Sequence, residues 1–330
     1  MLTLVTGGTG FIGNRLVWEL ARTGARVRVL VRSASLSTLE TSFPAEVEVV
    51  CGDILNRPSL QQAMQGCSRV FHLAAYAKNW SHRRELYFEV NLQGLSNVLE
   101  TARAAGVGRV VWSSSDLTLG PSLHGKTCDE SSSRALQACF SAYEESKLAA
   151  EKEVARQHPS GLEIVTVLPT RVFGPGLLTE GNSVTRIMEL YLRGRFPVLL
   201  GGGKPVGNWV LVDDVVRGLI QAAERGRAGE RYILGGENSS LREFFQLWAE
   251  ISGCRRMQFP VSGPVALTFA YLQELRARWF GVYPQITPAW VRCFLCDYIR
   301  SSAKAEKELG YHFTSLAEGM RRTYTFLQAR

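Results

Sequence analysis

A chain of 330 residues with 45% hydrophobic and 21% charged side chains has the makeup of a globular protein, which excludes disorder and leaves room for one large α/β domain or two smaller ones. The net charge of +8 favours an anionic partner, but no Lys/Arg-rich block interleaved with aromatics stands out, so a phosphate-rich cofactor or a peripheral membrane contact is expected and nucleic acid is not. Seven scattered cysteines, of which only Cys293 and Cys296 are closely spaced, predict reduced thiols in a cytoplasmic protein and no metal site.

The first strand is expected at residues 2–5, at the very start of the chain, which leaves no room for a signal peptide. No apolar run reaches the ~18 to 20 residues of a spanning helix. Directly after the strand comes Thr6-Gly7-Gly8-Thr9-Gly10-Phe11-Ile12-Gly13, opening a helical pattern through Leu16, Val17 and Leu20. Gly7, Gly10 and Gly13 allow a tight turn, a close approach to a pyrophosphate and close helix–strand packing, while the helix start offers free N–H groups. A second strand, residues 26–31, ends at Arg32, where an acidic residue would favour NAD and a cation accommodates the 2′-phosphate of NADP. NADP is therefore expected, with NAD as the other candidate.

Strands at 47–51, 69–75, 109–112 and 163–168 alternate with helices at 58–65, 85–105 and 142–157, the first of these capped by Asn56. Buried, β-branched strands alternating with helices predict a doubly wound parallel sheet. Beyond Pro169 the rhythm breaks into glycine-rich loops and short mixed elements, which suit a smaller substrate-side lobe. A strand at 209–212 and a helix at 213–225 are expected to return to the sheet, and the segment returning to the core is placed at about 206–234. The division expected is 1–170 for the cofactor and catalytic residues and 171–330 mainly for the substrate.

The chemistry centres on Ser115 at the end of the fifth strand and on Tyr143 and Lys147, four apart on one helical face. An ammonium near a phenol favours phenolate and lowers a pKa that is otherwise about 10. A phenol so tuned exchanges a proton with a carbonyl or alcohol oxygen, and Ser115 would hold that oxygen. Ser113 and Ser114 are alternative hydroxyls. His72 is expected in a packed strand, and Asp213 and Asp214 are expected to cap the helix that they open.

These motifs, together with Gly52-Asp53, His72-Leu73-Ala74-Ala75, Asn91, Pro169-Thr170-Arg171-Val172-Phe173-Gly174-Pro175-Gly176 and Val212-Asp213-Asp214-Val215, resemble the extended short-chain dehydrogenases/reductases. The likeness is to their epimerase/dehydratase-like branch, which includes dihydroflavonol reductases and 3β-hydroxysteroid dehydrogenases. It covers essentially the whole chain and implies a Rossmann fold with a smaller mixed C-terminal lobe. It implies that Thr9, Phe11 and Ile12 join the glycines at the cofactor, that Asp53 and Ile54 lie near adenine, and that Leu73, Ala74 and Ala75 line the cofactor. Lys147 would also bind the nicotinamide ribose, Pro169 and Val172 would flank the nicotinamide, and Asn91 would support the proton relay or fix the site's geometry. The chain departs from some relatives in a longer Ser-rich stretch, residues 117–139, expected to cover the substrate.

The function expected is NADP(H)-dependent reduction of a ketone, or oxidation of the alcohol, on a bulky apolar small molecule. A nucleotide-sugar epimerase with tightly held NAD is the alternative, with Arg171 and Arg292 as diphosphate ligands. A cofactor-binding sensor is a second alternative, disfavoured because Tyr143 and Lys147 are both present. The resemblance also implies a homodimer pairing the helices at 85–105 and 142–157. Residues 265–280 form a helix with Val265, Phe269, Leu272, Leu275 and Trp279 on one side; this stripe is either core-facing or a surface for apolar substrate and membrane.

Overall fold

The computed structural model describes residues 1–32, 43–157 and 161–330. Seven parallel strands form the main sheet: β1 (Leu2–Thr6), β2 (Arg26–Val31), β3 (Glu48–Cys51), β4 (Cys67–His72), β5 (Arg109–Ser113), β6 (Glu163–Pro169) and, much later in the chain, β10 (Arg231–Leu234), in the order β10-β6-β5-β4-β1-β2-β3. The order reverses direction between β1 and β4, the point where doubly wound sheets open a crevice at their carboxyl ends.

Helices α1 (Phe11–Arg22), α2 (Arg57–Met64), α3 (Glu85–Phe88), α4 (Gly94–Ala104) and α5 (Ala142–Gln157) connect these strands. One apolar core, with Val5, Leu16, Val29, Phe71 and Leu219, fills one face of the sheet. A second, with Leu4, Leu60, Val70, Leu99 and Trp112, fills the other. Asn56 caps α2, its side chain accepting from the Ser59 amide. The expected single helix over 85–105 is instead broken: α3 and α4 flank a π-turn, Glu89–Gln93. A π-turn inserts an extra residue in the helical ladder, and such turns recur at functional sites.

The smaller lobe holds β7 (Arg171–Phe173), α6 (Ser183–Leu192), β8 (Val198–Leu200), β9 (Val206–Leu211), β11 (Glu237–Ser240), α8 (Leu241–Ser252), β12 (Phe259–Val261), α9 (Gly263–Phe280), α10 (Pro288–Leu295) and α12 (Leu316–Gln328). Its core gathers Phe173, Trp209, Phe244, Trp248, Phe294 and Met320. The segment at 206–234 splits between the two layers. β9 pairs with β7 and β11 in a separate three-stranded sheet, so this strand does not return to the main sheet as expected. The following helix α7 (Val212–Arg225) does pack there, and β10 joins β6 in register. Asp213 and Asp214 do not cap α7. Asp213 pairs with Arg15 of α1 at 2.5 Å, and buried Asp214 accepts from the Thr314 amide at 2.7 Å, fastening the segment between α11 (Ala303–Leu309) and α12. α8 carries a full capping box between Ser240 and Glu243.

Candidate active site

The carboxyl end of β1 turns through Gly7 at φ +76, and a Cβ there would stand 2.5 Å from the Ala74 nitrogen. At Gly13 a Cβ would lie 2.1 Å from the Gly7 carbonyl oxygen. Only glycine fits either position, and the result is a bare backbone cradle. The N-cap of α1, Gly10, supplies no side-chain cap, so the first-turn amides are left for an anion. A cleft of about 770 Å³ runs from this turn, past Arg32, Leu73 and Ala75, to Ser115, Tyr143, Lys147, Pro169 and Val172. The cradle, the uncapped helix start and the cation at one end fit a dinucleotide.

At the other end, the Lys147 ammonium donates to the Ser113 carbonyl at 2.8 Å and lies 6.0 Å from the centre of the Tyr143 ring. Burial draws its pKa down to about 8, against the pull of Glu151. Tyr143 is pushed up to about 12 by burial, partly opposed by its hydrogen bond with Ser115, with Asp116 adding to the rise. The expected lowering of the phenol by Lys147 is therefore absent. Helical spacing puts the two side chains on one face, but the ammonium is tied to a strand carbonyl and the desolvation of the phenol outweighs its influence. His72 is buried with Nδ1 2.7 Å from the Thr6 hydroxyl, and burial holds it neutral with a pKa near 3.

Beyond Tyr143 the lining combines apolar and aromatic side chains, Val184 from α6 and Ala289, Trp290 and Phe294 from α10, with polar ones, among them Asn79, Thr179, Glu180 and Thr287. Arg171 is a cation on this wall, and Lys78 also lines the cleft. Its guanidinium stands 4.4 Å from the Phe294 ring centre and 5.1 Å from that of Trp209, and it donates to the Cys293 carbonyl at 2.9 Å. Beside it, buried Asp116 pairs with Arg300 at 3.1 Å. Burial raises the Asp116 carboxyl, against the pull of Arg300 and Arg171.

A family model described as the NAD dependent epimerase/dehydratase family matches residues 3–235. The chain belongs to that family. It is 33% identical, over 96% of its length and 91% of the relative's, to a protein of Synechocystis provisionally named a dihydroflavonol 4-reductase. It is 30% identical to the 3 beta-hydroxysteroid dehydrogenase/Delta 5→4-isomerase of Mycobacterium tuberculosis, over 93% of this chain and 85% of that protein. Among solved structures, UDP-glucose 4-epimerase from Thermotoga maritima superposes with a TM-score of 0.80 at 25% identity, covering 100% of this chain and 99% of that one. The protein is thus an NAD(P)-dependent oxidoreductase or epimerase of the extended short-chain dehydrogenase/reductase family.

Several residues expected at the cofactor lie off the cleft. Thr9 and Ala74 are not among its lining residues. Asp53 turns its carboxylate to the Leu55 amide at 2.9 Å. Ile54 is buried in the core against α4, where a Cβ on Gly94 would stand 2.6 Å from its Cδ1. Of the long stretch expected to cover the substrate, only Leu117 lines the cleft. The rest is tied down elsewhere: Ser122 bridges to Asp297, Cys128 to Arg300, and Glu130 accepts from the Ile233 amide at 2.6 Å. Sequence reasoning missed Asp116 and its partner Arg300, 184 residues apart, because nothing local signals so distant a pairing.

Asn91 also lies off the cleft, in the π-turn. It accepts from the Tyr76 amide at 2.7 Å and donates to the Ser146 hydroxyl at 2.9 Å. It thereby holds the loop after β4 against the turn of α5 that carries Tyr143 and Lys147. Asn91→Ala leaves buried partners unpaired and is expected to lower stability by about 1 to 3 kcal/mol. Thermal denaturation reads the stability. Steady-state kinetics is expected to read a lower kcat with little change in cofactor affinity, and an unchanged kcat would make the residue structural only.

Proposed function

We propose that the protein is an NADP(H)-dependent reductase of a ketone on a bulky, largely apolar molecule, and in reverse a dehydrogenase of the secondary alcohol. The observation that carries this reading is a single cleft with Arg32 and the glycine cradle at one end and, at the other, Tyr143 facing an aromatic wall. When bound, the nicotinamide supplies or accepts the hydride. Tyr143 gives its phenolic proton to the substrate oxygen in reduction and takes it back in oxidation, and the Ser115 hydroxyl hydrogen-bonds the same oxygen. Lys147, fixed by the Ser113 carbonyl, holds the nicotinamide ribose. On this reading residues 1–170 serve the cofactor, and residues 171–330 serve the substrate, apart from α7 and β10. Asn91 and the Asp116–Arg300 pair keep the proton-transfer groups in position.

The epimerase reading is favoured by one observation, the Arg171 guanidinium on the cleft wall. It is weakened by Arg292, its expected companion, which donates instead to the Tyr271 hydroxyl outside the lining residues. One guanidinium stacked on rings is a poor match for a diphosphate. A turnover screen with NADPH and NADH against steroid, flavonoid and aliphatic ketones and nucleotide sugars tests both readings. The expected result is NADPH-dependent reduction of large apolar ketones. Interconversion of nucleotide sugars without net oxidation of the cofactor would replace the proposal with the epimerase.

A further inference from the structure

Eleven of the eighteen large hydrophobic side chains exposed among the described residues fall between residues 257 and 283. Soluble surfaces carry such side chains scattered singly, and a concentration marks an interaction surface. Most of them lie on α9, a helix of 18 residues and so about 27 Å long. Its inward stripe is built from Ala266, Ala270, Gln273 and Ala277, three of them alanines that seat the helix closely on α10. Its outward stripe carries Val265, Phe269, Leu272 and Trp279, which are 62, 51, 60 and 72% exposed. The stripe expected either to face the core or to form a surface therefore faces solvent: small residues are buried and large apolar ones are not, the inverse of a core-packed helix.

The charges of this stretch of chain are one-sided, the acid that meets it from elsewhere being Glu180 at Tyr283. Between residues 255 and 283 stand Arg255, Arg256, Arg276 and Arg278 against a single acid, Glu274, and Glu274 is already paired with Arg278 at 2.7 Å. Arg276 falls within the apolar stripe itself, where its guanidinium donates to the Gln273 side-chain oxygen at 2.9 Å and its long stem leaves the charge free to turn toward an anionic surface. No helix among the described residues is long and apolar enough to cross a membrane. An arginine-bearing helix with an aromatic outer face and no capacity to span has the apolar area and the cations to rest on a lipid interface, although its opposite face is packed on the protein rather than charged.

The same piece of chain reaches the cleft. α9 packs on α10, whose Trp290 and Phe294 line the substrate wall. Just past α9, the Tyr283 hydroxyl donates to Glu180 at 2.6 Å, and Glu180 accepts from the Asn79 amide at 3.1 Å. Glu180 and Asn79 both line the cleft. We infer that the outer face of α9 docks the protein on an anionic lipid surface, with the mouth of the cleft on the docked side. That an apolar ketone reaches Tyr143 from the lipid rests on the reductase reading; the docking itself does not.

The test is sedimentation of the full chain with vesicles of phosphatidylglycerol and phosphatidylethanolamine, or of phosphatidylcholine alone. Salt is set at about 0.1 M and about 1 M, across which the screening length falls from about 10 to about 3 Å. The expected result is binding to the anionic vesicles at the lower salt. It should be at least about tenfold weaker on phosphatidylcholine, at high salt, and for Phe269→Ser combined with Trp279→Ser. Both replaced side chains are solvent-exposed, so the double variant keeps the parent melting temperature. Arg255→Gln, Arg256→Gln and Arg276→Gln together are expected to weaken anionic binding and flatten its salt dependence. No vesicle binding by the parent chain, or equal binding by the double variant, overturns the docking. So does a dimer in sedimentation velocity that the double variant dissociates while vesicle binding is unaffected, because the face then belongs to a second copy. Vesicle binding is read without turnover, so it and the reductase reading fail separately.

Discussion

Tyr143→Phe is expected to lower kcat/KM by at least about a hundredfold, the low end of what a positioned proton donor contributes, with NADPH binding retained. The variant keeps the ring and its packing and removes only the hydroxyl that meets Ser115. The pH profile separates this from a general loss of shape. Burial holds the Tyr143 phenol up at about 12, so near neutral pH it is protonated and ready to donate. Reduction should therefore vary little with pH until Lys147, drawn down to about 8, loses its proton, while oxidation, which needs phenolate, should rise with pH throughout that range. In Tyr143→Phe that rise should vanish from whatever oxidation remains. Near-normal turnover by the variant would remove the mechanism.

Arg32→Ala is expected to weaken NADPH by roughly ten- to a hundredfold and to leave NADH almost unchanged. The estimate rests on one charge-assisted bond to the 2′-phosphate, worth about 1.5 to 3 kcal/mol. Arg32 is exposed at the end of β2 and lines the cleft, so replacing it removes no packed core contact. Fluorescence titration with both cofactors measures the two affinities. Equal affinities for NADPH and NADH in the unmodified protein would refute the assignment.

The nucleotide end of the cleft was legible because its chemistry is local. Gly7, Gly10 and Gly13 sit in one turn, and the strands around them announce themselves as short β-branched runs between helical patterns. Ser115, Tyr143 and Lys147 were legible as a set, but the electrostatics between them were not. Sequence spacing says which side chains share a helical face, whereas the desolvation of Tyr143 and the tether of Lys147 to Ser113 depend on β5, which the spacing does not contain. The side-chain packing of Ile54 was not legible either: it follows Asp53 in a motif, and the motif does not contain Gly94, against which its side chain is buried. The large apolar stripe of α9 was legible, but its direction was not, and neither was the inward face built from Ala266, Ala270 and Ala277, because periodicity reports a face and not what lies against it.

β10 carries a consequence for how the molecule reaches its native state. It covers the outer edge of β6, yet more than sixty residues separate the two strands, and β7 and β9 of the other lobe lie between. A nascent chain ending near residue 170 would have β6 as an open, hydrogen-bond-hungry edge, the kind that pairs with foreign strands. The central sheet closes only after the chain has passed into the smaller lobe and come back. Pairings of such long sequence separation are slow to form, so the two lobes are coupled in assembly, and damage to the smaller lobe reaches the main sheet.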